Sequence, residues 1–318
     1  MRKRIQKKQK EPRHQQSISQ RKKKYAAFEG YLFIAPWILG FLFFQIGPML
    51  FSFIMSFTGW KMINVPQFVG LKNYENIFFH DEIFITSIQV TLKYVFFSVT
   101  LSLVVSLMLA LLLNSKLKGM YLFRTLFYIP SVVSGVALSL VWVWFLNGDF
   151  GILNFILSAI GIQGPDWLGD PSYALWSLIM MSVFGVGGTM VIFLAGLQNI
   201  PQYLYESAMI DGANGFQKFY KVTLPILSPT ILFNMITMII GAFRTFTQVY
   251  IITDGSGGPL NATMLYALYL YKKAFKYMEM GYASALAWIL FAIILVLTLI
   301  IFKFSKYWVY YEAEQEKR

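Results

Sequence analysis

The sequence predicts an all-α membrane protein with six transmembrane helices and both termini in the cytoplasm. Three observations carry that expectation: a composition too apolar for water, six long apolar runs, and a lopsided distribution of basic residues. Of 318 residues, 57% are hydrophobic, 18% aromatic and only 13% charged. Soluble chains run at about 45–50% apolar and about 25% charged, and so few charges cannot cover a water-facing surface. No cysteine occurs, which excludes a disulfide framework, thiolate metal sites and cysteine nucleophiles. His14 and His80 lie far apart, one in a basic tail and one in a polar stretch. No metal constellation and no general acid–base pair stands out.

A hydrocarbon layer about 30 Å thick needs roughly 20 mostly apolar residues per helix. Six stretches qualify, at approximately 31–55, 94–113, 126–146, 174–196, 226–250 and 281–302. Barrel strands are about 10 residues long and alternate in polarity, whereas Leu286 to Phe302 is continuously apolar. Several spans contain Pro or Gly (Pro36, Gly40, Pro130, Gly135, Gly185, Gly187, Gly188). Neighbouring helices in a bundle can satisfy the backbone groups these residues free. The first span is expected to stay attached rather than be cleaved as a signal peptide, because its apolar stretch is too long and Ser56–Met62 offers no small-residue cleavage pattern.

The formal net charge of +12 resembles a nucleic-acid signal until it is traced. Residues 1–24 hold eleven Lys/Arg against a single acid, Glu11. No aromatic platform interleaves them, so the tail is read as an orientation signal that touches anionic lipid, with no nucleic-acid partner. With the N-terminus inside, the inner segments carry twenty Lys/Arg and the outer segments six. The positive-inside rule then sets both termini in the cytoplasm. The chain divides into a basic tail (1–27), a membrane domain (28–305) and a C-terminal tail (306–318). The remaining basic residue, Arg244, falls within the fifth span.

Between the spans, residues 58–93 read as a polar outer loop, and 148–171 as an acidic one with Asp149, Asp166 and Asp170. Residues 264–278 read as an amphipathic helix lying in the outer interface. Leu268, Tyr271, Phe275 and Met278 recur on one side, with snorkelling Lys272 and Lys276 on another. Ser98, Ser102 and Ser106 share one face of the second span, and Ala283, Ser284, Ala285 and Ala287 crowd the start of the sixth. Such small residues read as helix-packing surfaces.

The most informative segment is the inner stretch 199–225. Pro201 opens a short helix over Gln202 to Ile210, and Asp211-Gly212 stops it, since glycine readily adopts the left-handed helix-stop conformation. A second short helix, about Phe216 to Val222, leads through Thr223-Leu224-Pro225 to the membrane. Two short helices joined by glycine make a protruding knob.

Glu206-Ser207-Ala208, then Gly212, then Val222-Thr223-Leu224-Pro225 resembles the EAA loop of binding-protein-dependent ABC importer permeases. The spacing matches throughout; Ser207 and Val222 are the departures from the pattern. Phe68 to Tyr74, Phe123 to Pro130, Asp166 to Pro171 and Gly257-Gly258-Pro259 are similar to the sugar-importing branch, which includes the maltose and glycerol-phosphate permeases. The resemblance covers roughly residues 28–305.

It implies a type I ABC importer permease fold working with a second homologous permease, a cytoplasmic ATPase dimer and an extracytoplasmic solute-binding protein. The cargo it implies is a sugar or oligosaccharide, including an acidic one. Glu206 would be the charged contact in a cleft of the ATPase, with Ser207 beside it and Ala208 allowing close approach. Gly212 would be the bend, and Leu224 and Pro225 the anchor to span five. No Gly-x4-Gly-Lys-Ser/Thr sequence occurs, nor any Gly-Lys pair. The chain is therefore expected to be no enzyme and to bind no cofactor, with ATP and Mg held by the partner ATPase subunits.

Transporter sites gather near the midplane beside broken helices. The candidates are Ser131 and Gly135 in span three, Phe184 and Gly185 in span four, and Ala242, Arg244 and Thr245 in span five. The resemblance places these neighbourhoods at the sugar site, and only Gly185 carries over by identity. A cation within a span is a functional suspect. Two readings of Arg244 stand: it snorkels or pairs with an acid of the partner subunit, the favoured one, or it holds a substrate carboxylate. The alternatives for the whole chain are a permease of the same superfamily for glycerol phosphate or a polyamine, an ion-gradient-driven transporter, and a non-transporting membrane scaffold. The EAA loop and the lack of an intramembrane acidic relay argue against the ion-driven case.

Overall fold

The computed structural model describes residues 31–115 and 117–310. The basic tail 1–27, the chain end from 311 and Lys116 lie outside the described residues. No strand forms among those described; an isolated bridge pairs Thr58 with Phe68.

Helix α1, Tyr31–Met55, is a unit by itself. Its middle, Leu42–Ile46, is wound as a π-helix, and the rings of Trp37 and Phe41 stack 5.4 Å apart. The second unit begins at Ser56. There α2 (Lys72–Phe79) and α3 (Glu82–Leu113) replace most of the polar loop expected over 58–93. The start of α3 at Glu82 rather than 94 has a local cause. The Asp81 side chain accepts the Phe84 N–H at 3.0 Å, an N-cap that satisfies one of the first-turn donors. Ser98, Ser102 and Ser106 are buried along one face of α3, in keeping with their packing role.

Two predicted spans are bent pairs. Helices α4 (Met120–Val132) and α5 (Gly135–Phe145) meet at 98°. Pro130 sits one turn before that bend, where it removes a backbone donor. Helix α6 (Ile152–Ala159) lies in the acidic stretch. Helices α7 (Pro171–Phe184) and α8 (Gly187–Gln198) meet at 45°. At Gly187 a Cβ would fall 2.4 Å from the Phe127 carbonyl oxygen, so only glycine lets α8 lie directly on α4. Among the described residues, four helical runs are long and apolar enough to cross a membrane: α1, α3, Gly215–Ile252 and α14 (Met280–Ser305, below). The two bent pairs raise that to six if each is one span.

After the knob (α9, Gln202–Ile210, and α10, Gly215–Lys218) comes α11 (Leu224–Phe243), then a break at Arg244–Phe246 and α12 (Thr247–Ile252). Helix α13 (Tyr266–Tyr271) runs into a π-turn at Lys272–Lys276 and then to α14.

The expected interfacial helix over 264–278 is docked instead. Leu268 is 0% exposed and Tyr269 2%. The Tyr266 N–H donates to Thr91 Oγ1 at 2.8 Å and its hydroxyl to the Leu286 carbonyl at 2.7 Å. Lys272 donates to the Ser256 carbonyl at 2.9 Å rather than snorkelling outward. The reason is that Tyr266, Leu268 and Tyr269 face α3 and α14, whereas Phe275 and Met278 of the side that periodicity assigns to lipid stay exposed.

Two buried clusters hold the second unit together. The larger joins α3, α7 and α12 to α14 through Leu178, Val249, Leu268 and Leu286. The smaller joins the far end of α3 to α8 and α11 through Ala110, Met190, Phe193 and Leu227. Arg124 closes this end of α3, its guanidinium donating to the Leu113 carbonyl at 2.7 and 3.1 Å, a favourable cation at a helix C-terminus.

Candidate coupling loop and translocation path

Helix α9 starts at Gln202, one residue after Pro201, whose extended backbone (ψ 130°) forms the cap. Its end is a Schellman motif. Gly212 (φ +77°) turns left-handed, the Ala213 N–H reaches the Ala208 carbonyl at 2.9 Å, and the Gly212 N–H reaches Met209 at 3.0 Å. The sequence-predicted stop at Asp211-Gly212 therefore has its mechanism. Asn214 caps α10 through a reciprocal box with Gln217, at 2.8 and 2.9 Å.

The second half of the knob differs from expectation. Helix α10 passes without a loop through a π-turn, Phe219–Thr223, into α11. Leu224 and Pro225 follow the π-turn directly, and the Leu224 N–H donates to the Phe219 carbonyl. The buried Thr223 and the Tyr205 hydroxyl lie 2.9 Å apart, which pins α9 to the base of the span. Beyond the last span, the Tyr310 N–H donates to Ser228 Oγ at 2.8 Å. Tyr310, Pro201 and Tyr203 line a cavity of about 500 Å³ beside the knob.

No residue of α9 is buried. Glu206 and Ser207 are exposed, Ala208 is half-buried, and Gln202 steadies the Glu206 carboxylate at 2.9 Å. Ile210 is 87% exposed, Tyr203 61% and Phe216 76%. Glu206 thus stands amid exposed apolar side chains on a helix held at both ends.

The seven path candidates all fall at helix breaks. Ser131 and Gly135 flank the α4–α5 bend, Phe184 and Gly185 stand at the α7–α8 bend, and Ala242, Arg244 and Thr245 end α11. Packing links the breaks: the Trp142 ring of α5 meets Phe184 edge-on at 5.4 Å, and α8 lies on α4 through Gly187. Tyr94 of α3, absent from the sequence candidates, is 2% exposed and reaches the side chains of both Thr245 and Ser182. A lone tyrosine in an apolar span carries no sequence signal for that role. Arg244 is exposed, and among the described residues its guanidinium has no ion pair.

Residues 102–309 match the family described as "Binding-protein-dependent transport system inner membrane component". The chain is 47% identical over 289 residues to the probable ABC transporter permease protein YesP of Bacillus subtilis, covering 90% of this chain and 93% of that protein. It is 36% identical to the arabinooligosaccharides transport system permease protein AraP of the same organism, covering 86% and 88%. It is also 36% identical to the lactose transport system permease protein LacF of Rhizobium radiobacter, covering 88% and 95%. A chain of a bacterial alginate ABC transporter, solved in complex with an alginate pentasaccharide-bound periplasmic protein, shares the fold with a TM-score of 0.77 at 24% identity, over 88% of this chain and 94% of that one.

Proposed function

The chain belongs to the family of binding-protein-dependent transport system inner membrane components, and from that premise we propose that it is the permease subunit of an ATP-driven sugar or oligosaccharide importer. The reading of the cargo is supported by the arabinooligosaccharide and lactose permeases among its relatives. In this reading the two bent pairs are each one span, giving six, and both termini lie in the cytoplasm with the knob. A second permease, an ATPase dimer and an extracytoplasmic binding protein complete the machine. ATP is hydrolysed by the ATPase subunits, not by this chain.

One observation carries the mechanism: α9 presents Glu206 and its exposed apolar neighbours from a helix that is fixed at both ends. The Schellman stop, the Asn214 box and the Tyr205–Thr223 contact leave the knob little freedom of its own. Because α10 continues into α11, a displacement of the knob is delivered to the far end of α11, where Ala242, Arg244 and Thr245 lead into the break. Closure of the ATPase dimer on Glu206 would thus reshape the gap among the helix breaks, and sugar would pass there. Arg244 stands at that break, where it would either pair with an acid of the partner permease or meet the carboxylate of an acidic sugar.

The test is ATP-dependent uptake of labelled arabinotriose, lactose or maltotriose by the full complex in proteoliposomes. Glu206→Lys and Gly212→Pro are expected to abolish uptake while the complex's permease stays folded; full uptake in both would overturn the coupling assignment. Arg244→Gln separates the two readings of that residue, since loss confined to uronate-containing oligosaccharides is expected only of the carboxylate contact.

A further inference from the structure

At the end of the second unit opposite the knob, the segments 56–83 and 266–282 enclose a cavity of about 450 Å³. Small-molecule sites span about 300–1,000 Å³. Its floor is rigid and already satisfied. The Asp81 carboxylate accepts the hydroxyls of Tyr269 and Tyr282 as well as the Phe84 N–H. Burial and that carboxylate hold the Tyr269 phenol far above its usual range, so it stays a donor at any physiological pH. Lys273 pairs with Glu279 at 3.0 Å and lies 4.5 Å from the centre of the Tyr282 ring. The Gly281 N–H donates to the Trp60 carbonyl at 3.0 Å, and Met62 to Met278 at 3.2 Å, strapping the loop wall to the head of α14.

Three lining groups are left unused by this framework. Among the described residues, the Asn76 amide, the His80 imidazole and the Lys61 ammonium make no side-chain hydrogen bond. Asn76 and His80 each offer a donor and an acceptor on a flat group, the pairing that adjacent sugar hydroxyls need. Trp60 adds an aromatic side chain to the wall, suited to the apolar C–H face of a sugar ring, while Tyr269 is buried and Lys273 stands over the Tyr282 ring. The formal charges cancel, Lys61 and Lys273 against Asp81 and Glu279, so the cavity holds no excess of cations of the kind a phosphate or a uronate calls for.

We propose that this cavity is a peripheral binding site for a short stretch of neutral saccharide, held by Asn76 and His80 and separate from the helix breaks. It rests on the reading of the chain as a sugar importer and, in the topology proposed above, faces the side from which cargo arrives. It adds a waiting position ahead of the path, one that this chain supplies without the binding protein.

The experiment uses the permease–ATPase complex in lipid nanodiscs, without binding protein, probed with arabinotriose, lactose and maltotriose by saturation-transfer NMR. At least one sugar is expected to receive saturation in the wild type. Affinity should fall about tenfold or more in Asn76→Ala/His80→Ala, the loss of two or more hydrogen bonds. Asn76 and His80 hold nothing else together, so the double variant is expected to melt with the wild type. No transfer from any sugar, or equal transfer in the double variant, would overturn the site. Uptake measured in parallel with binding protein keeps the two ideas apart. Uptake without such transfer ends the cavity site alone; absence of uptake of every saccharide ends the importer reading and the site with it.

Discussion

The knob around α9 and the segment around α13 are alike in kind and opposite in use. Each is a short, tyrosine-bearing helix set beside a long one. Yet α9 buries none of its residues, whereas α13 buries Tyr266, Leu268 and Tyr269. Ile210 is 87% exposed and Leu268 0%. The knob therefore owes its shape to backbone devices and leaves its apolar side chains exposed. The α13 segment spends the same kind of side chain on the chain's own core. A contact surface and a structural element can share one local pattern, and burial separates them.

The sharpest way to break this contrast is Leu268→Ala. Emptying a fully buried position costs about 2–5 kcal/mol, so the solubilised permease should melt several degrees lower, measured by thermal denaturation in detergent. A melt indistinguishable from wild type would mean α13 is not part of the core. Next comes Asp81→Asn, which weakens a charged acceptor serving two tyrosine hydroxyls and one backbone N–H. Hydrogen bonds to charged groups contribute about 1.5–3 kcal/mol, and hydrogen exchange should rise first in the opening turns of α3 and α14.

Smaller effects fall on the knob. Gly212→Ala forces a Cβ onto a left-handed residue at about 1–2 kcal/mol. Its expected signature is faster exchange of the Ala213 amide with a nearly unchanged melt. Smallest is Ile210→Ala, expected to shift the melt by no more than about 0.5 kcal/mol. If Ile210 serves a partner, the same variant should dissociate more readily from the ATPase in a pull-down at graded salt. Unchanged association would remove Ile210 from the contact surface.

The same contrast explains what the sequence could tell. The knob was legible because its punctuation is local: Pro201, Asp211-Gly212 and Leu224-Pro225 each act within a few residues. The helix breaks were half legible, through Pro130, Gly135 and Gly185, though nothing local sets the 98° and 45° bends. These bends depend on packing such as that of Gly187 against Phe127. The head of α3 was misread as loop because its polar residues look solvent-bound in isolation. His80-Asp81-Glu82 before an apolar run is a helix-start signal that could have corrected it. No local pattern reveals that the Asp81 carboxylate meets hydroxyls 188 and 201 residues away, nor that Tyr94 stands between Ser182 and Thr245.

The π-turn at Phe219–Thr223 has one more consequence. A π-turn accommodates an extra residue within a helix, and each residue advances an α-helix by about 100°. Those five residues therefore act as an angular setting between the knob and α11. Deleting one would keep the residues of α9 while turning Glu206 to a different bearing around the axis of α11 and displacing the Thr223 contact with Tyr205. On the proposed reading the coupling surface is thus specified by azimuth as well as by side chain. A permease with the right residues at the wrong rotation would be mechanically deaf to its motor.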